Sequence, residues 1–324
     1  MISRRHFLGS FSSLAVASLA VAQSERVWRI GHLWFSTAHD GAPYLEGFLA
    51  GLRALGYVEG KNLVLEYRLA NGRLETLPAL ARELVALNVD LLYTPATPAT
   101  QAAMRATTSI PIVFSGVSDP VGSGLVQTLS RPGGNVTGLT DAGVDLAQKR
   151  LDLLKQTIPR LRRIAVLGDQ ASTLWEPTWK EVQAAARVLQ IEVTPLVITT
   201  PSQIEDALAR LDRTIQALLV APQAVFYVNR QKIIDFTLKA RLPATYEWRT
   251  FVEDGGLMSY GPDFVALHRQ AARHVDKVLR GAKPSELPVE QPTHYELVIN
   301  LKTARAIGLQ IPESVLARAN EVIK

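Results

Sequence analysis

Short apolar runs alternate with amphipathic stretches along nearly the whole chain, and the alternation runs through twice in the same order. Arg29-Ile-Gly-His-Leu-Trp34 reads as a strand, and a polar loop, Phe35 to Gly41, follows it. Tyr44, Leu45, Phe48, Leu49, Leu52 and Leu55 then fall on one helical face, and Gly56 ends that helix. Leu63 to Tyr67, Leu91 to Tyr93 and Ile110 to Phe114 are further strands, with an amphipathic helix from Leu74 to Leu87 between the first two. Arg163-Ile-Ala-Val-Leu167 repeats the opening strand, and Ala217-Leu-Leu-Val-Ala-Pro222 repeats Asp90-Leu-Leu-Tyr-Thr-Pro95, both at an offset of about 130 residues. Strands that alternate with helices pair in parallel, with helices on both faces of the sheet. The pattern therefore predicts an α/β chain of two Rossmann-like lobes, and a length of 324 residues fits two domains.

The densest turn cluster, Arg131-Pro-Gly-Gly-Asn-Val-Thr-Gly138, leads into the crossing from one lobe to the other. The second lobe continues through a helix from about Val225 to Ala240 and a turn at Glu253-Asp-Gly-Gly256. A long helix, Asp263 to Arg280, and a strand, Tyr295 to Ile299, come after it. A chain that completes one lobe and then adds another helix and strand crosses between lobes more than once.

Within the first lobe, Asp90 to Gln101 is a buried strand that breaks at Thr94-Pro95. Thr97 suits an N-cap, Pro98 the first helical position, and an Ala-rich helix follows. Free backbone N–H groups at such a helix start face the carboxyl edge of the sheet and favour an anion. That edge is where ligands bind in open α/β sheets.

The N-terminus carries Ser3-Arg4-Arg5-His6-Phe7-Leu8, an apolar run from Leu14 to Val21, and Ala20-Val21-Ala22. This reads as a twin-arginine export signal spanning 1–22, too short to span a membrane, and it places the mature protein in the periplasm. The formal charge is +5, and removal of Arg4 and Arg5 leaves +3, with the basic residues scattered. No aromatic-interleaved basic stripe appears, so nucleic-acid binding is not expected. The absence of cysteine excludes disulfides and thiolate metal sites.

Catalytic patterns are absent. There is no G-x-S-x-G elbow, no phosphate loop and no G-x-G-x-x-G after the first strand. The six histidines form no H-E-x-x-H; His268 and His274 lie six apart on one helix, and His32 sits inside a strand as a core or rim residue. The strand-end loops instead carry aromatic and small polar residues, the mix that lines small-molecule clefts. In the first lobe these are Trp34, Phe35, Ser36 and Thr37, then Pro95, Ala96 and Thr97, then Ser115, Val117 and Asp119. In the second they are Asp169, Trp175, Gln223, Phe226 and Tyr246, with Tyr227 beside them. No cofactor, metal or catalytic residue is expected.

Several stretches resemble the substrate-binding proteins of ABC transporters, of the tryptophan/tyrosine-binding type, in the type I periplasmic binding protein family. They are Gly51 to Asn62, Ile110 to Phe114, Ser118 to Gly122 with Gly124-Leu125, Ser130 to Gly138, Lys149 to Leu154, Gly255 to Pro262 and Glu290 to Lys302. The resemblance implies two lobes joined by a three-crossing hinge, with lobe 1 at 26–141 plus 257–289 and lobe 2 at 142–256 plus 290–324. It implies one small ligand, amino-acid-like or carboxylate-bearing, held between the lobes. Delivery would be to an ABC permease in the inner membrane driven by a cytoplasmic ATPase, with the protein acting as a monomer. The ligand carboxylate would sit at Ala96 and Thr97, and Asp119 would meet a ligand amine or start a turn. A ligand sensor presenting its cargo to a membrane receptor is the alternative. Gly168-Asp-Gln-Ala-Ser-Thr-Leu-Trp175 departs from the family's Asn-x-x-Asn-Pro-like loop, and Trp34-Phe35 with His39 is also unusual, so ligand identity does not carry over.

Overall fold

A computed structural model describes residues 26–324; the expected export signal lies outside them. The elements run β1 (Trp28–Trp34), α1 (Ala38–Ala54), β2 (Leu63–Leu69), α2 (Leu77–Ala86), β3 (Leu91–Pro95), α3 (Thr97–Ala106), β4 (Ile112–Val117) and β5 (Val136–Thr140). Then come α4 (Ala147–Thr157), β6 (Arg163–Asp169), α5 (Trp175–Leu189), β7 (Glu192–Ile198), α6 (Ile204–Ala209), β8 (Ala217–Val220), α7 (Ala224–Val228), α8 (Arg230–Lys239), β9 (Ala244–Tyr246) and α9 (Arg249–Glu253). The chain ends with β10 (Met258–Pro262), α10 (Phe264–Leu279), β11 (Tyr295–Asn300), α11 (Leu301–Ala306), α12 (Glu313–Leu316) and β12 (Glu321–Ile323).

The strands form two sheets, as the repeated alternation predicts. The first has the order β2-β1-β3-β4-β5 and is parallel throughout. The second has the order β12-β11-β10-β9-β8-β6-β7 and is parallel except for the β10–β11 pair. Each is buried on both faces, so its central strands are continuous apolar runs: Leu91, Leu92 and Tyr93 in β3 and Ala217 to Leu219 in β8 are fully buried. This is the two-lobed periplasmic binding protein architecture.

Three segments join the lobes, at the end of β5, between β10 and α10, and between Glu290 and β11. The first and third lie side by side, with Thr140 N donating to Glu290 O and Glu290 N to Gly138 O, each at 3.0 Å. One expected boundary is corrected. The expected first-lobe segment 257–289 begins too early, because β10 pairs with β9 and β11 in the second sheet. The crossing therefore falls at Pro262-Asp263, where the Asp263 side chain accepts Ala266 N and caps α10. The helix expected from Val225 to Ala240 also breaks in two, at Asn229.

Helix α10 returns to the first lobe and lies against α1. The approach is close enough that a Cβ on Gly51 would stand 2.3 Å from Arg269 O, and one on Gly47 2.6 Å from Val265 O. Only glycine at these two positions lets the helices meet at this distance. Their contact brings residues from opposite ends of the sequence together: the rings of Tyr44 and His268 stack at 5.2 Å.

Candidate functional site

The first sheet presents its carboxyl edge to the second lobe. There β3 ends at Pro95, and Ala96 turns the chain at φ 66°, ψ 158° before α3 begins. The cap position is thus Ala96, not Thr97 as the residue types suggested; Thr97 is the first helical residue. The Ala96 N–H is occupied by Ser115 O at 2.9 Å, and Pro98 has none. The N–H groups of Thr97 and Ala99 are the ones this helix start leaves for a ligand anion. Thr100 Oγ1 braces the turn by hydrogen bonding to Thr94 O at 3.0 Å and Ala96 O at 2.9 Å.

Across the gap, Gln223 pins two strand ends of the second lobe. Its Oε1 accepts Asp169 N at 2.7 Å and its Nε2 donates to Asp169 O at 3.1 Å. The Asp169 carboxyl accepts Ala171 N at 3.0 Å, and burial raises its pKa above the ordinary value. Between these edges lies a cavity of about 310 Å³, lined by Ala96, Thr97, Pro98 and Gly116 from one lobe and by Asp169, Thr173, Gln223 and Trp248 from the other. A volume of this size suits an amino acid or similar small molecule.

Ala96, Gly116 and Trp248 also border a second, inner chamber of about 20 Å³. Its walls are aromatic: Trp34, Phe35, Tyr44 and Phe264 from the first lobe, Tyr227 and Trp248 from the second. Phe35 meets Tyr227 edge-on at 5.6 Å, and Tyr227 meets Trp248 at 5.4 Å, so the stack crosses the interlobe gap. His268 completes the wall. Its Nδ1 lies 2.6 Å from Tyr93 Oη and 3.2 Å from Ser115 Oγ, and Tyr93 Oη lies 2.8 Å from Ser115 Oγ. Desolvation takes the His268 pKa down to about 3, and that of its neighbour His32 to about 4, so both rings are neutral.

An ion pair spans the lobes beside this chamber. Arg230 Nη2 donates to Asp40 Oδ1 at 2.7 Å, and its Nε to Asp254 Oδ2 at 2.6 Å. Ser36 and Thr37 hydroxyls donate to Asp40 Oδ2 at 2.7 and 2.8 Å. Burial pushes the Asp40 carboxyl up, but the hydrogen bonds from Ser36, Thr37 and Arg230 outweigh it and hold the group below its ordinary range. Tyr44 and Thr250 hydroxyls join the lobes at 3.0 Å on the same side.

At the hinge, Arg150 is fully buried. It donates to Glu247 Oε1 at 3.1 Å, to Gly143 O at 3.0 Å and to Tyr260 O at 3.0 Å. Asp141 is buried beside it, its Oδ1 accepting Gly143 N at 2.8 Å. Desolvation raises Asp141 to about 6 and raises Glu247 well above the carboxylate range. Two carboxyls around one guanidinium hold a neutral cluster if they share a proton. The atoms Asp141 Oδ2 and Glu247 Oε2, which have no hydrogen-bond partner among the described residues, are where that proton can reside.

Of the residues expected at the site, Trp34, Phe35, Pro95, Ala96, Thr97, Ser115, Asp169 and Gln223 line one of the two spaces. The others lie elsewhere. Ser36 and Thr37 serve Asp40 and the start of α1. Val117 is fully buried, and its carbonyl accepts Thr140 Oγ1 and Asp141 N. Asp119 starts a turn, accepting Gly122 N at 2.8 Å. It lines a separate, more open groove of about 620 Å³ against α5. Trp175 stacks on Trp179 beneath Gly168 in the second core. Phe226 is fully buried, and Tyr246 stacks on Phe251.

Sequence reading missed Tyr44, Gly116, Trp248, Phe264 and His268. Tyr44, Phe264 and His268 sit at core-facing helical positions, where an aromatic that lines a cleft has the same spacing as one that fills a core. Trp248, just beyond the Tyr246 end of β9, carried the usable signal: it lies at a strand end. Among the described residues, no group of three or more His, Asp or Glu residues is placed to hold a metal ion.

A tyrosine-binding protein of Clostridioides difficile (strain R20291) is 29% identical over 266 residues, which cover 82% of this chain and 76% of that protein. A structure from Streptococcus pneumonia in complex with L-Trp has a TM-score of 0.86 at 28% identity, covering 92% of this chain and all of the other. The ligand-free, open structure of a substrate binding protein with adhesive properties from Clostridium difficile gives a TM-score of 0.68 at 25% identity over the same shares. Residues 37–323 match the family described as ABC transporter substrate binding protein, and the chain belongs to that family of small-molecule-binding, typically extracytoplasmic proteins.

Proposed function

We propose that this protein captures an aromatic amino acid between its lobes and delivers it to an ABC importer. The observation that carries the reading is the joining of two features in one cleft. Free N–H groups at Thr97 and Ala99 can take a carboxylate, and an aromatic wall built from both lobes lies within the same enclosure. The relatives described as binding tyrosine or L-Trp support the same ligand class. Binding stabilises the closed form, because the ligand touches both lobes there and only one when they part. The reading assigns no chemistry to the site.

Export by the twin-arginine route belongs to the same proposal and rests on Ser3-Arg4-Arg5-His6-Phe7-Leu8. Replacing Arg4 and Arg5 with Lys should leave the precursor in the cytoplasm, and unchanged export would exclude the route. For ligand class, native mass spectrometry of freshly purified protein, followed by titration with aromatic and aliphatic amino acids, is the direct test. An aromatic amino acid should be retained or bind; binding of aliphatic ligands alone would exclude the reading.

A further inference from the structure

Two polar side-chain atoms on residues lining the inner chamber make no hydrogen bond among the described residues: Nε1 of Trp248, which also borders the outer cavity, and Nε2 of His268. Trp34 Nε1 donates to Thr37 O at 3.1 Å, Tyr44 Oη is bonded to Thr250, and Tyr227 Oη reaches Asp40 O at 3.5 Å. His268 Nδ1 is engaged with Tyr93 and Ser115, while its Nε2 makes no hydrogen bond among the described residues. His268 borders the chamber, and this nitrogen, not fully enclosed by protein atoms, can face it.

The buried triangle decides which nitrogen carries the proton. Suppose Nδ1 accepts. Tyr93 Oη–H then donates to Nδ1, Ser115 Oγ–H donates to Tyr93 Oη, and both hydroxyl protons are used. Suppose instead that Nδ1 carries the proton. The three contacts then hold three protons with only two oxygens to accept, and one hydroxyl proton is stranded in a site where both residues are fully buried. The first arrangement wins, and it places N–H on Nε2. The ring is neutral, so this is a donor without a charge.

The chamber's volume of about 20 Å³ is room for one oxygen atom, since a water needs ~10–15 Å³ of such space. The adjoining cavity, sharing Ala96, Gly116 and Trp248, has room for the rest of a ligand.

We infer that His268 Nε2–H is a specificity-determining donor that reads a hydrogen-bond acceptor at the far end of the ligand's ring. The site thus takes a phenol such as tyrosine in preference to a bare phenyl or an indole. The inference rests on the aromatic amino-acid reading above and narrows it. A phenol oxygen fills the chamber and satisfies Nε2–H. A phenyl ring leaves that donor unpaired, and an indole offers N–H where an acceptor is required.

Calorimetric titration of the mature protein with L-tyrosine, L-phenylalanine and L-tryptophan tests it. Tyrosine should bind at least ~10-fold more tightly than either of the others. In His268→Leu the tyrosine affinity should fall by about that factor, while phenylalanine changes by less than ~3-fold. Equal affinities in the native protein, or a tyrosine preference that survives His268→Leu, would overturn the inference and leave the broader reading standing. If no aromatic amino acid binds, both fall. Should His268→Leu not fold, ¹⁵N NMR of the native protein decides: an Nε2–H tautomer whose proton shifts with tyrosine and not with phenylalanine supports it, and an Nδ1–H tautomer overturns it.

Discussion

Arg230 Nη2, on the second lobe, donates to Asp40 Oδ1, on the first, at 2.7 Å, with both side chains less than one-fifth exposed. This ion pair exists only while the lobes are together, so it contributes to closure and not to the fold of either lobe. Arg230→Ala should weaken ligand binding by about 10-fold, about 1.4 kcal/mol, mainly through faster release. The hydrogen bonds that hold Asp40 below its ordinary value of 3.8 imply that the pair persists as pH falls until below that value. Stopped-flow release rates for the native protein and the variant check both points; equal rates would show that the pair does not hold the lobes.

Glu247 is the partner of a fully buried guanidinium. Replacing it with Leu leaves Asp141 as the remaining carboxyl but removes the acceptor of the buried Arg150 Nη2, and should cost about 1–3 kcal/mol of stability, read from denaturant unfolding. A loss below about 1 kcal/mol would mean that the cluster relaxes or hydrates.

Asp141 is the second carboxyl of the same buried cluster. Burial raises its pKa from the ordinary 3.8 to about 6, so the folded state binds more protons than the unfolded state between those values. Its contribution to stability is therefore present below about 4 and is lost as pH rises through about 6. Asp141→Asn keeps an acceptor for Gly143 N and mimics the protonated form. The variant should be at least as stable as the native protein at pH 7–8, and its stability should lack the native decline between pH 4 and 6. Thermal unfolding across that range measures the slope, and an unchanged slope would assign the titration to another group.

Gly51 tests how the site is assembled. A Cβ there would press on Arg269 O, which is backbone and cannot swing away. Gly51→Val should push α10 off α1, destabilise the protein by about 1–3 kcal/mol, and weaken binding by moving His268 and Phe264. A variant with native stability and affinity would show that the helix contact has slack.

Architecture was legible because periodicity reports it. Alternating strands and helices, repeated in order, predicted two parallel sheets, and the helix start after β3 pointed to the edge where the cleft lies. The carboxyl-edge positions Pro95, Ala96 and Gln223 followed from that edge rule, and Trp34 and Phe35 from their place after β1. Trp175, Phe226 and Tyr246 followed the same rule and are core residues, because a strand-end aromatic can fold inward as readily as into a cleft. Tyr44 and His268 were invisible as site residues, since only the close α1–α10 contact brings them together from opposite ends of the chain. Thr97 has the residue type of a cap, yet the positive φ at Ala96 moves the cap one residue earlier. Backbone conformation of that kind does not show in residue identity.

The central claim is that α3 seats a ligand carboxylate while the aromatic wall holds its ring. Calorimetric titration of the native protein and of Thr97→Asp with L-tyrosine, L-tryptophan and L-leucine measures it most directly. The account predicts that an aromatic amino acid binds the native protein more tightly than leucine does. It also predicts that Thr97→Asp, which places a carboxylate beside the ligand's own, loses at least ~100-fold in affinity while the protein stays folded. Undiminished binding by folded Thr97→Asp, or leucine bound as tightly as the aromatic ligands, would contradict it.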